Sequence, residues 1–240
     1  MENILRAELV VPYWCSFRDP TSVNVHTTFR LPPLTTLFGL VANAMGLEQD
    51  DYTLRPHMRF AVGIHQPGEL VETYSKIMKV REAKTPAEAA KPGNLYISTA
   101  VIKQKLVQPV FRMYVLADAD LLTQIQTALI SPTRPLYLGE SDDVVDVVAP
   151  AIISAGLVQT NRFDCAVHGM RPLQSDELPV SVVNLPYNFA RRGKSDWALQ
   201  RRLYLYRLDD SALVLETESE GLEIEGRHIL FEPPMEGQSS

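Results

Sequence analysis

The chain is short of cysteine, of long apolar runs and of the spaced motifs on which most enzymes are built. Among 240 residues the only cysteines are Cys15 and Cys165, far apart and in no metal-ligating spacing. That excludes a disulfide scaffold and points to a reducing, intracellular setting. No apolar stretch reaches the roughly 18 residues that a membrane helix needs. The opening segment MENILRAELVV is interrupted by Arg6 and Glu8, which is not the pattern of a secretory leader. The expectation is a cytoplasmic protein with no membrane contact. His26, His57, His65, His168 and His228 make no H-x-x-x-H pair, and there is no P-loop, G-x-G-x-x-G or G-x-S-x-G segment. No metal and no cofactor are expected. Asp142 and Asp143 are adjacent carboxylates, but neighbouring residues point apart, so a turn suits them better than an acid–base pair.

What is present is a core and an uneven charge. A hydrophobic content of 45% supports one large domain, or one domain with an appendage. The net charge of −6 hides local reversals. Lys76–Lys105 carries seven basic and two acidic residues, and Tyr187–Arg207 carries six basic and one acidic. From Asp209 onward nine acidic residues face one basic. A phosphate-binding surface requires local positive potential, not global positive charge.

Hydrophobic patterning predicts a strand at Asn3–Val11, and a helix opening at Leu31-Pro32-Pro33-Leu34-Thr35-Thr36 and stopping at Gly46. Gly39 within that helix marks a close approach of another backbone or of a ligand, since glycine there costs about 1 kcal/mol. A strand follows at His57–Gln66. Arms at Leu70–Val80 and Leu95–Lys105 form a long hairpin, and Pro109–Leu116 is a strong strand. A helix at Ala119–Ile130 and a short strand at Val144–Val148 complete the series. Without the hairpin the order is β-α-β-β-α-β, the ferredoxin-like arrangement used by RNA-recognition modules. The fold class is therefore α+β: residues 1–149 a ferredoxin-like, RRM-like domain with a hairpin thumb at about 70–105, residues 150–232 a β-rich C-terminal region, and 233–240 a disordered tail.

The binding candidates follow from this layout. Thr35 and Thr36 cap the first helix or, with its free amides, receive a phosphate. Lys76, Lys79 and Arg81 gather cations on the hairpin, while Tyr74 and Tyr96 either stack on bases or pack on the body. Phe111 and Tyr114 resemble the sheet aromatics of RNA modules, but their opposite parity buries at least one of them. Arg191, Arg192, Lys194 and Arg201 surround Trp197, a mixture suited to nucleic acid or an acidic partner, or to a loop anchored by the indole.

The segment HTTFRLPPLTTLFGLVANAMGL (His26–Leu47) resembles the signature of CRISPR-associated protein family five, within the repeat-associated mysterious protein superfamily. The matching positions are Pro32, Pro33, Thr35, Thr36, Gly39 and Gly46. RPLYLGESDD (Arg134–Asp143) resembles a second element of that family through Pro135, Leu136, Tyr137, Leu138 and Gly139. The resemblance implies a non-catalytic subunit of a type I-B-like Cascade complex in antiviral defence. Such a subunit hooks the 5′ handle of crRNA between thumb, first helix and body, beside a backbone subunit and a large subunit. It carries RNA contact onto Thr35, Thr36, Lys76, Lys79 and Arg81, and loop shaping onto Gly139, with Tyr74 a further RNA-contact candidate from its place on the hairpin. Arg191, Arg192, Lys194, Trp197 and Arg201 would face target DNA near the protospacer-adjacent motif, or the large subunit. One branch of the family is a metal-independent endoribonuclease that processes pre-crRNA with a tyrosine, a lysine and a histidine. Tyr52 could stand for the first, but no Lys-His neighbour pair follows the thumb, only Lys103 and Lys105.

Overall fold

The computed structural model describes residues 1–22, 25–80, 96–174, 179–191 and 197–233. Among the described residues, two helices and thirteen strands form the regular framework. In chain order these are β1 (Glu2–Val10), β2 (Trp14–Cys15), β3 (Val25–His26), α1 (Leu34–Met45), β4 (Arg59–Gln66), β5 (Glu69–Val80), β6 (Tyr96–Val107) and β7 (Val110–Leu116). There follow α2 (Ala119–Ile130), β8 (Asp146–Phe163), β9 (Val167–His168), β10 (Ser181–Arg191), β11 (Trp197–Tyr206), β12 (Leu213–Ile224) and β13 (Arg227–Ile229). The architecture is mixed α+β, with most regular residues in strands.

The main sheet has six strands in the order β13-β12-β8-β1-β7-β4. Every pairing in it is antiparallel. Side-chain alternation divides its two faces. Leu5, Leu9, Phe60, Val62, Phe111 and Met113 share one buried cluster with Leu37, Leu40 and Val41 of α1 and Leu122 and Ile125 of α2. Ile4, Ala61 and Tyr114 belong to a second cluster with Phe163, Leu213, Leu222 and Ile229. The expectation that one of Phe111 and Tyr114 is core is therefore exceeded. Both are sealed, because C-terminal strands cover the face opposite the helices.

β8 spans eighteen residues, pairing β1 through Asp146–Ala155 and β12 through Gly156–Phe163. It runs through position 150, where the sequence suggested a boundary. The apparent break is a register shift on the β1 side: Ala149 has φ of 48°, and Pro150 follows it. The C-terminal region thus extends the first sheet and adds a three-stranded sheet, β10-β11-β9. The basic run at 187–207 is itself a hairpin, β10–β11, with a register shift between Pro186 and Asn188 that masked the strand in the sequence.

Candidate nucleic-acid interface

α1 begins two residues earlier than a Thr35 cap would place it. Pro33 is the N-cap, with φ −56° and ψ 147°, and no side chain caps the helix. The Thr36 and Leu37 amides donate to the Pro33 carbonyl at 2.9 and 3.1 Å. Thr35 and Thr36 are thus half-buried residues of the first turn and not caps, because proline fixes the entry on its own. Gly39, three and four positions on, lies on the same side of the helix as the threonines and is exposed. A Cβ placed there meets nothing within 4 Å, so no packing inside the described chain accounts for this glycine.

The first hairpin is an unbroken ladder from Glu69↔Val107 to Val80↔Tyr96. Its base is wrapped by β2, antiparallel to β6 at Val107 and Leu106, and by β3, parallel to β6 at Ile102 and Lys103. Beyond Ile102 no other strand pairs with it among the described residues. Tyr74 is 77% exposed opposite Ile102, and Lys76 and Met78 are exposed opposite Ala100 and Ser98. Even positions of β5 share a face, so Tyr74, Lys76 and Met78 line up. Lys79 lies further along β5 at an odd position, so its place in the ladder is not on the row of Lys76. Arg81 lies outside the described residues.

The two family-like segments touch. Gly46 closes α1 in the left-handed region at φ 76°, and a Cβ there would lie 2.9 Å from Thr133 Cγ2. Arg134 donates to the carbonyls of Leu47 at 2.7 Å and Gly46 at 3.3 Å, and Asn43 donates to the Pro135 carbonyl at 2.8 Å. The second segment thus seals the C-terminus of the first helix, then turns at Gly139. There φ is 121°, and a Cβ would lie 2.5 Å from the Ser16 carbonyl oxygen and 2.8 Å from Asp143 Oδ2. That carboxylate accepts the Ser16 amide at 2.8 Å and the Glu140 amide at 2.9 Å. Lys105 stands 3.6 Å from Asp143 Oδ1, and Lys103 holds Glu140 at 2.8 Å. The Lys105 ammonium also lies 4.8 Å from the centroid of the Trp14 ring. One loop therefore bolts the hairpin base to the helix end.

The model of the family described as CRISPR-associated protein (Cas_Cas5) matches residues 4–160, which include both segments, the first hairpin and both helices. The chain belongs to this family. None of the curated proteins matches it. Three solved structures share its fold. One is a chain of a CRISPR RNA-guided surveillance complex, 16% identical with a TM-score of 0.56, covering 90% of this chain and 92% of that one. A Cas protein is 16% identical with a TM-score of 0.52, over 86% of this chain and 95% of that one. A CRISPR protein from Archaeoglobus fulgidus is 10% identical with a TM-score of 0.59, over 95% and 98%.

In this family member the second basic run is largely structural where it is described. Arg201 pairs with Asp19 at 3.3 Å, and the Arg202 guanidinium stacks 4.2 Å from the Tyr187 ring centroid. Arg191 and Trp197 face each other as the last described pair of the β10–β11 ladder. Arg192 and Lys194 lie outside the described residues. Tyr52 packs between Phe38 and Phe189, with centroids at 5.9 and 5.4 Å, and its hydroxyl donates to Asp50 at 3.3 Å. Burial and the Asp50 charge raise its pKa, which opposes use as a base.

Sequence reasoning missed the clamp around Gly139. The turn expected at Asp142 and Asp143 is present, with the Asp143 amide donating to the Glu140 carbonyl at 3.0 Å, but the full burial of Asp143 was not foreseen. Burial raises its pKa, against the pull of the Glu140 and Ser16 amides and Lys105. No local spacing signals it, since Lys103 and Lys105 lie two residues apart, Glu140 and Asp143 three, in segments distant in the sequence. Among the described residues, no helix is long and apolar enough to cross a membrane.

Proposed function

We propose that this chain is the non-catalytic subunit of a Cascade-type surveillance complex that binds the 5′ handle of crRNA, in antiviral defence in the cytoplasm. The β8-β1-β7-β4 strand order, with two helices on one face, supports a ferredoxin-like body carrying the first hairpin as its thumb. The observation that carries the reading is the joint fixing of α1 and that hairpin by the Gly139 loop. A flexible single strand is best gripped between elements whose spacing does not change.

The grip has two kinds of contact. The first turn of α1 presents unpaired amides and positive potential beside Thr35, Thr36 and the bare surface of Gly39, where a phosphate can approach closely. The free face of the thumb offers Lys76 to phosphate and Tyr74 to a base. The sheet face that RNA-recognition modules commonly use is partly covered here by C-terminal residues, which favours a path for the RNA along the hairpin and helix rims. Tyr52 sits among aromatic rings with an acidic neighbour, which supports a binding role over cleavage. The backbone subunit and large subunit are the protein partners of this reading, and Arg191, Arg192, Lys194 and Trp197 are its contact to target DNA or the large subunit.

The test is purification of the chain with its co-encoded proteins, followed by sequencing of bound RNA. Uniform short RNAs beginning with a repeat-derived handle are expected, with affinity falling linearly in log salt. A complex that assembles without RNA, or that cleaves repeat RNA without metal and stops when Tyr52→Phe is introduced, would overturn the reading.

A further inference from the structure

The flank remote in sequence from the basic runs has the opposite character. Between Met113 and Asn161 the sequence holds a single basic residue, Arg134, against six acidic ones. Arg134 is consumed by the carbonyls that end α1. In this flank the start of β8, the C-terminal turn of α2 and the 132–137 connection enclose an open groove of about 360 Å³. Leu129, Pro135, Leu136, Tyr137, Val144 and Val147 form much of its lining. Part of this apolar lining is open to solvent: Val144 is 47% exposed and Tyr137 39%. Contiguous exposure of this kind costs solvation free energy that folding alone does not justify.

The electrostatics select the occupant. Asp142 and Asp146 are exposed beside the groove, with Asp146 part of its lining. The last turn of α2 has no basic residue, so its carbonyl ends add negative potential. The lysines nearest in contact, Lys103 and Lys105, are held by Glu140 and Asp143. A phosphate backbone would be repelled from such a surface, whereas an apolar side chain flanked by Lys or Arg would gain burial and charge complementarity together.

We propose that this groove docks a protein partner of the complex, one that inserts a bulky apolar side chain with a Lys or Arg beside it. The proposal rests on the chain's assembly with other subunits, and not on which RNA segment it holds. A photo-crosslinking phenylalanine analogue placed at Tyr137 or Val144 in the purified ribonucleoprotein tests it, alongside the charge reversal Asp142→Lys/Asp146→Lys. The expected crosslink joins a different protein chain at a peptide carrying an apolar residue next to Lys or Arg. The reversal should lower retention of that protein by about tenfold or more, with bound RNA and the melting temperature of the isolated chain unchanged. If the reversal impairs folding, Asp142→Asn/Asp146→Asn should still weaken retention several-fold. A crosslink to RNA, a crosslink to a second copy of this chain, an absence of crosslinks in an assembled complex, or unchanged retention in a folded reversal variant would overturn it. RNA content is read in the same sample, so loss of the handle reading would show there without affecting this result.

Discussion

The molecule carries two long hairpins that are held in opposite ways. The β5–β6 hairpin is bolted at its root by the Gly139 loop and by β2 and β3, and beyond that its own ladder is the only strand pairing it makes among the described residues. The β10–β11 hairpin is fastened along its length. Tyr187 accepts a hydrogen bond from buried Arg55 at 2.9 Å, Phe189 packs on Tyr52, and Arg201 reaches Asp19. After its second arm, Asp210 accepts from Arg227 at 3.0 and 3.1 Å and from His65 at 2.9 Å, and pairs with Arg112. A rigid root with a free arm suits an element that closes over a strand. A hairpin tied down along its arms suits a support for what its tip presents.

The largest effect should come from cutting the second hairpin's central tie. Arg55 and Glu232 form an ion pair at 2.8 Å with both side chains almost fully buried. Arg55→Ala leaves the buried Glu232 carboxylate without its ion-pair partner, beside the Phe60 amide, and should cost about 3–5 kcal/mol. Thermal unfolding should fall by roughly 10 °C, with hydrogen exchange rising first in β10. An unchanged melting temperature would show that the hairpin is held by packing alone. Next comes Gly139→Ala, which forces a Cβ against Ser16 and Asp143 in a left-handed conformation. A loss of about 3 kcal/mol is expected. Its signature is faster exchange at Val101–Leu106, with β10 and β11 unaffected.

These ties were unevenly legible in the sequence. The first hairpin was readable almost to the residue, because its arms have regular alternation and no internal proline. The second hairpin, with Pro186 inside a strand, was legible only as a basic run suited to nucleic acid, to an acidic partner or to an anchored loop, since a register shift that accommodates proline leaves no local signature. β8 was split in two for the same reason at Pro150. The α1 start was visible through its prolines, but Pro33, not a threonine, caps it. Gly139 stood out in the sequence. Its partners did not, because Ser16, Lys103 and Lys105 lie in distant segments and only tertiary closure brings them to Asp143. Burial of both sheet faces was equally hidden: parity showed that Phe111 and Tyr114 diverge, not that a second layer waited for each.

Acid should separate the hairpins with a smaller effect. Asp210 is partly desolvated, but bonds from Arg112, His65 and Arg227 outweigh this and hold its pKa at about 2, below the usual 3.8. Asp19 is likewise lowered, by Thr21 and Arg201 against its desolvation. A depressed carboxyl contributes stability that is present above its unfolded pKa and lost as pH falls through the folded one. Screening at these partly exposed sites limits the total to about 1 kcal/mol. Asp143, at the root of the first hairpin, is shifted upward and so contributes no such loss between pH 4 and about 2. Exchange measured down that range should therefore rise around β11 and the 208–212 connection before it rises in β6. Simultaneous loosening would mean that the two hairpins are coupled more tightly than their separate fastenings imply.

The smallest stability effect belongs to the residues with the largest proposed role in binding. Tyr74 and Lys76 project from the outer thumb into solvent, so Tyr74→Ala/Lys76→Ala should change unfolding by less than about 0.5 kcal/mol. If the thumb grips RNA, the same pair should weaken handle binding by roughly 10- to 100-fold, since a stacked base alone is worth about 1–3 kcal/mol. Losing one phosphate contact should also flatten the salt dependence by about 0.7 in log–log slope on single-stranded RNA. Substitutions in the fastened hairpin should give the reverse pattern, with Arg201→Ala costing up to about 1 kcal/mol of stability and leaving the slope unchanged. If Tyr74→Ala/Lys76→Ala proved neutral for RNA while Arg201→Ala changed the slope, the two hairpins would exchange roles. The element tied along its length would then be the one that touches the guide.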